Sequence, residues 1–213
     1  MSSTDSNLTT ITSIDSITLE ADDPEAAQRF YADAFGLDGA RVRTVGSDAT
    51  TSGFRGFTVS LVVSQPANVR ALFDAAVAAG ASVLKPVEKS LWGIGGVVQA
   101  PDGAIWNLAT SSKKDTAPAS REFESIVVLL ASDDVSASKA FYTARGLKVA
   151  KSFGSYVDFA TPASPIGLGL YKRRALAKTS GVDEAGSGSH RLRLHSDGGS
   201  FTDPDGFVWE PAA

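Results

Sequence analysis

The chain has 213 residues, 43% of them hydrophobic and 21% charged, with a net charge of −4 and no cysteine. That apolar content is enough for packed cores and argues against wholesale disorder. A mildly acidic balance gives no electrostatic footprint for nucleic acid or an anionic membrane, and the missing thiols exclude disulfide frameworks, thiolate zinc sites and cysteine nucleophiles.

The first dozen residues, MSSTDSNLTTIT, are polar and lack the basic and apolar regions of a signal peptide. No apolar run approaches the roughly 18–20 residues of a membrane span. A soluble, cytoplasmic protein is the expectation. From Ser16 to Leu37 the chain reads SITLEADDPEAAQRFYADAFGL: an apolar strand, then Asp23 as a helix N-cap, a helix with Phe30 and Tyr31 on its buried stripe, and Gly36 as its stop. Further strands are predicted at Gly56–Ser64 and Gly93–Ala100, with a helix running into a strand over Ala67–Val83.

The pattern then repeats. Ile126 to Leu147 reads IVVLLASDDVSASKAFYTARGL, so Asp134 aligns with Asp23 and Tyr142 with Tyr31 at one common offset. The unit ends repeat too: APDGAIWNLA from Ala100 matches DPDGFVWEPA from Asp203, each a Pro-Asp-Gly turn leading into a strand with Trp106 or Trp209. Residues 113–121 are polar and read as a linker between units at 12–112 and 122–212. The second unit carries strands near LKVAKSF, YVDFA and PIGLGLYK, but only DGGS separates HRLRLHS from FTDPDG. The fold class is therefore α+β, built from tandem βαβββ modules, the last of which lacks its helix. An inserted stretch, RRALAKTSGVDEAGSGS, partly restores the length as a loop with a short helix; its basic run YKRRALAK reads as a solvated helical turn.

Strand, Asp, Phe-Tyr helix, Gly-Leu and a terminal Pro-Asp-Gly-x-x-Trp strand together resemble the vicinal oxygen chelate superfamily, which includes glyoxalases, extradiol dioxygenases and bleomycin resistance proteins. The resemblance implies two glyoxalase-like domains whose modules curl into cups around a divalent metal. It implies ligands from His or Gln on a module's first strand and Glu on its last. Those positions fall here on Ser16 and Val127, on residues 57–59 and His190, and on Asn107 and Glu210. Only His190 and Glu210 remain as metal ligands, whereas catalytic sites ordinarily need three protein ligands. No cofactor is the expectation, with zinc, iron, nickel or manganese at His190 and Glu210 as the alternative.

Two functional readings stay open. In one, the chain binds an aromatic or apolar small molecule without a metal, lined by Trp92, Trp106, Trp209, Phe57, Asn107 and Arg193. In the other it is a lyase or isomerase whose acid/base groups are His190, His195 and Glu210. His190 and His195 have opposite parity in a regular strand, and Arg191 and Arg193 share the parity of His195. Against these stand plainer roles: a strand-start histidine bonded to backbone, a solvated Arg-x-Arg-x-His face, and tryptophans in the core. No GxGxxG lies between a strand and a helix, so a dinucleotide site is excluded. A small-molecule ligand is the expected partner, and a monomer or weak homodimer the expected state.

Overall fold

A computed structural model describes residues 9–91 and 93–212. The first half runs β1 (Ile14–Ala21), α1 (Pro24–Phe35), β2 (Val42–Gly46), β3 (Thr51–Gly53), β4 (Phe57–Val62), α2 (Pro66–Ala78), β5 (Ser82–Ser90), β6 (Gly93–Gln99) and β7 (Ile105–Thr110). The second half runs β8 (Ser125–Ser132), α3 (Val135–Ala144), β9 (Lys148–Phe153), β10 (Tyr156–Ala160), β11 (Ile166–Lys172), α4 (Arg173–Ser180), β12 (Gly186–Gly188), β13 (Leu192–Ser196), β14 (Phe201–Thr202) and β15 (Val208–Pro211). No helix separates β13 from β14, as the short DGGS connection predicts.

The repeated helices start as their sequences dictate. The Asp23 carboxylate accepts from the Ala26 N–H at 2.9 Å, and Asp134 accepts from the Ser136 and Ala137 N–H groups, satisfying donors that a helix cannot satisfy itself. Gly36 closes α1 in the left-handed region at φ 68°.

Two main sheets form, and each draws strands from both copies. A five-stranded sheet has the order β14-β15-β13-β1-β2, and an eight-stranded sheet the order β5-β6-β7-β4-β8-β11-β10-β9. The seams between copies are antiparallel: β1 against β13 in the first sheet and β4 against β8 in the second. A short ribbon of β3 and β12 makes a third link. The strand alternation assigns one face of each sheet to a common core. Ile17, Leu19, Leu192, Leu194 and Trp209 point inward from the small sheet; Phe57, Val59, Leu61, Trp106, Val128 and Leu168 do so from the large one. Helix α1 packs into this core, with Tyr31 and Phe35 ring centroids 5.1 and 4.8 Å from Trp106. Tyr142 of α3 lies 5.7 Å from Trp209 in the same manner.

The linker is not loose. The buried Gln65 carboxamide accepts from the Thr116 and Ala117 N–H groups and donates to the Ala117 and Pro118 carbonyls, and the Asn68 carboxamide oxygen accepts from the Ser120 N–H. No helix among the described residues is long and apolar enough to cross a membrane.

Candidate functional site

The outer face of the five-stranded sheet is set by the segment Ser16-Ile17-Thr18-Leu19-Glu20, in which every second residue is polar. Register carries that face across the seam. Ser16 pairs with His195 and His195 with Glu210; Thr18 pairs with Arg193 and Arg193 with Val208. On the other side of β1, Thr18 pairs with Arg43 of β2. Paired residues project to the same side of a sheet, so Ser16, Thr18, Glu20, Arg43, Arg193, His195 and Glu210 share one surface.

These groups are tied together. The Thr18 hydroxyl lies 2.8 Å from His195 Nε2, and Glu210 Oε2 lies 3.8 Å from His195 Nδ1. Arg193 donates from Nε to Glu20 at 2.8 Å and reaches Glu210 Oε1 from Nη1 at 3.4 Å. The hydrogen bond to Glu20 leads the interactions that raise the Arg193 pKa, with the Glu210 charge adding to it. The small groups are covered while the rim is wet: His195 is 8% exposed, but the Arg193 and Glu210 side chains retain 40% and 37%. Beside them a cleft of about 290 Å³ is bounded by Glu20, Leu192, Arg193, Val208 and the Gly188–His190 segment.

His190 stands apart from this array, which corrects its expected pairing with Glu210. Arg191 takes φ 52°, so the regular strand starts only at Leu192 and the alternation does not extend back to His190. The His190 ring stacks on Phe207 at 4.0 Å, with Nδ1 2.5 Å from the Arg55 carbonyl and Nε2 3.1 Å from the Asp205 carbonyl. Backbone carbonyls lie against both ring nitrogens and Phe207 covers the ring, so the imidazole is packed against the chain and neither nitrogen faces the array. Arg191 is likewise turned away, onto Asp22 and the Ala49 carbonyl.

The expected aromatic lining also fails to form. Trp106, Trp209 and Phe57 are at most 1% exposed, because they have the inward parity opposite to Asn107, Glu210 and Thr58. Trp92 lies outside the described residues. Asn107 belongs to the other sheet, where its Nδ2 donates to the Thr58 and Ser60 hydroxyls at 3.0 and 3.3 Å; it never meets Glu210. Of the residues singled out in the sequence, His195, Glu210 and Arg193 come together. Thr18, Glu20 and Arg43 were not singled out, although the polar alternation of β1 marks the first two.

The middle of the outer face of the eight-stranded sheet is covered by the chain itself. Leu176 and Ala177 of α4 are fully buried in a second apolar cluster with Phe54, Val97, Ile105 and Ala131, bordered by Leu129 and Tyr171. Val97 pairs with Asn107 and Leu129 with Thr58, so this is the outer face. Lys85 Nζ donates to the Lys178 carbonyl and Arg173 to those of Phe54 and Glu184, holding the helix down. The inserted segment therefore packs as a plug on this sheet, not as a solvated turn.

A divalent ion does not fit the five-stranded floor. Among the described residues, His195 and Glu210 are its two adjacent groups of ligand type outside the Glu20 ion pair, and the Arg193 guanidinium stands between the two glutamates. Among the described residues no group of three or more His, Asp or Glu side chains is arranged to hold a metal.

No protein-family model and no curated protein matches the sequence. Solved structures do match the fold. Glyoxalase I from Zea mays superposes with a TM-score of 0.62 at 14% identity, over 92% of this chain and 90% of that one. A putative dioxygenase from Bacillus subtilis gives 0.58 at 14% identity, over 88% and 70%. The likeness is one of fold, and it agrees with the fold expected from the repeated motifs.

Proposed function

We propose that the chain is a metal-independent small-molecule binding protein whose ligand sits over the polar floor of the five-stranded sheet and contacts Arg193 and His195. The observation that carries this reading is the connected array Thr18–His195–Glu210–Arg193–Glu20 beside an open cleft, on the one main sheet whose outer face α4 does not fill. A buried polar array with wet rim groups gives a ligand oriented hydrogen-bonding partners. The ligand is accordingly polar at its inner end, not the aromatic compound that the tryptophans suggested. The names of the neighbouring structures add a small-molecule role on fold grounds alone.

A second reading follows from the same histidine. With Thr18 on Nε2 and Glu210 facing Nδ1, His195 has the arrangement of a general base oriented by a carboxylate, the lyase or isomerase alternative. Fragment screening by amide NMR in the presence of EDTA tests both. Hits that shift Thr18, Arg193 and His195 and weaken about tenfold in Arg193→Ala, in line with the loss of a hydrogen bond to a charged group, support the binding site. Hits gathering elsewhere would sink it. Proton–deuterium exchange at a bound carbon acid, abolished in His195→Ala, would favour the catalytic reading.

A further inference from the structure

The charge on the outer face of the five-stranded sheet is unevenly spread. Glu20 and Glu210 both pair with Arg193. Towards the β2 edge the balance changes. Arg43 is half-buried on the face beside Thr18, and among the described residues no hydrogen bond or ion pair engages its guanidinium. Arg41, just ahead of β2, lies with its guanidinium 5.0 Å from the Phe123 ring and meets no carboxylate among the described residues. The backbone of Arg41 accepts from Ile17 N–H, which sets it alongside Ser16.

Ser16 supplies an independent sign. It is 2% exposed, faces the same surface, and its hydroxyl has no hydrogen-bond partner. A buried hydroxyl without a partner loses its hydration for nothing, at a cost comparable to a lost hydrogen bond. At Ser16 the orphaned hydroxyl lies on the face that also carries the unengaged Arg43 guanidinium, and a bound partner there would supply the missing bond. A hydroxyl donor and an uncompensated guanidinium on adjoining strands match one kind of partner, an oxyanion with several acceptor lone pairs.

We infer that the ligand of this sheet carries a carboxylate or phosphate group, received by Arg43 and the Ser16 hydroxyl, with the rest of the molecule extending over His195 and Arg193. The inference rests on the reading of this face as the ligand site and adds the chemical class of what binds there. An anionic group set between Arg43 and Ser16 lies four residues along β1 from Glu20, whose charge is already met by Arg193. Selectivity follows from the same layout: a neutral analogue of equal shape forfeits the charge-assisted bonds and keeps only the contacts over β13.

Three probes of matched shape test it: benzoate, phenyl phosphate and benzamide, titrated into the full chain and followed by amide and arginine Nε–H NMR signals. The expected result is that benzoate or phenyl phosphate binds at least about tenfold tighter than benzamide, with shifts at Arg43, Ser16 and Thr18. Which anion is preferred separates the carboxylate from the phosphate. Arg43→Met, which keeps the length and removes the charge, should erase the preference, and Arg43→Lys should retain part of it. If benzamide binds over His195 and Arg193 as tightly as the anions, or Arg43→Met leaves the anions unaffected, the anion inference falls while the ligand site stands. If no probe shifts any residue of this face, both fall.

Discussion

Tyr31 and Tyr142 occupy matching places in the two copies, and each donates its hydroxyl to a carboxylate ahead of the terminal strand: Tyr31 to Asp102 at 2.6 Å and Tyr142 to Asp203 at 2.5 Å. Burial, then the neighbouring carboxylate, pushes both phenols well above their ordinary value of 10.0. Burial with the charge of Asp158 pushes Tyr156 up to about 12. The sign is fixed by linkage. The folded chain keeps these protons where the unfolded chain releases them, so their contribution is whole below pH 10 and is lost as the pH climbs through the raised values. Tyrosinate absorbance and loss of circular dichroism should therefore rise together above about pH 10. Tyr142→Phe should delay that onset yet cost about 1–3 kcal/mol at neutral pH, read by urea unfolding, because Asp203 and the Trp209 indole N–H both lose their partner. An unchanged neutral stability would show that the bond contributes nothing.

At the level of elements, α4 is a helix with poor local reasons to exist. It has eight residues, no side-chain N-cap, and Arg173 and Arg174 in a first turn that favours acidic groups. Its docking through Leu176 and Ala177 holds it in place. Leu176→Ala should accordingly speed hydrogen exchange of the α4 amides by about tenfold or more while β4 and β8 keep their protection. Uniform loss of protection across the large sheet would show instead that α4 is part of the global fold. Here the sequence and the structure part company for a physical reason. Apolar periodicity shows that a segment is amphipathic, not which surface its apolar side meets. Most of the strands, the repeated caps and the missing helix were legible because they depend on local patterns, whereas β2, β3 and β12 carry no such pattern and were not expected. The site was only partly legible. His195 and Glu210 stood out by residue type, but their meeting depends on the parallel register of β13 and β15, and the exclusion of His190 depends on one residue, Arg191, in the left-handed region.

The whole molecule is held by its seams. Six residue pairs join β4 to β8 and five join β1 to β13, so each main sheet needs both copies. We expect cleavage at the exposed Lys113 and Lys114 by trypsin to leave one particle on size exclusion, its halves separating only in denaturant. Separation under native conditions would show the covalent connection to be indispensable. The seams are made between backbones, and this sets what sequence change the molecule tolerates. Strand length and register on either side of a seam are locked to each other, since a one-residue slip would turn every core side chain outward. The residues on the two outer faces carry no such obligation. One sheet can thus give its outer face to an inserted helix, as the larger sheet does with α4, while the outer face of the other stays free to vary around a framework that both sheets hold in shape.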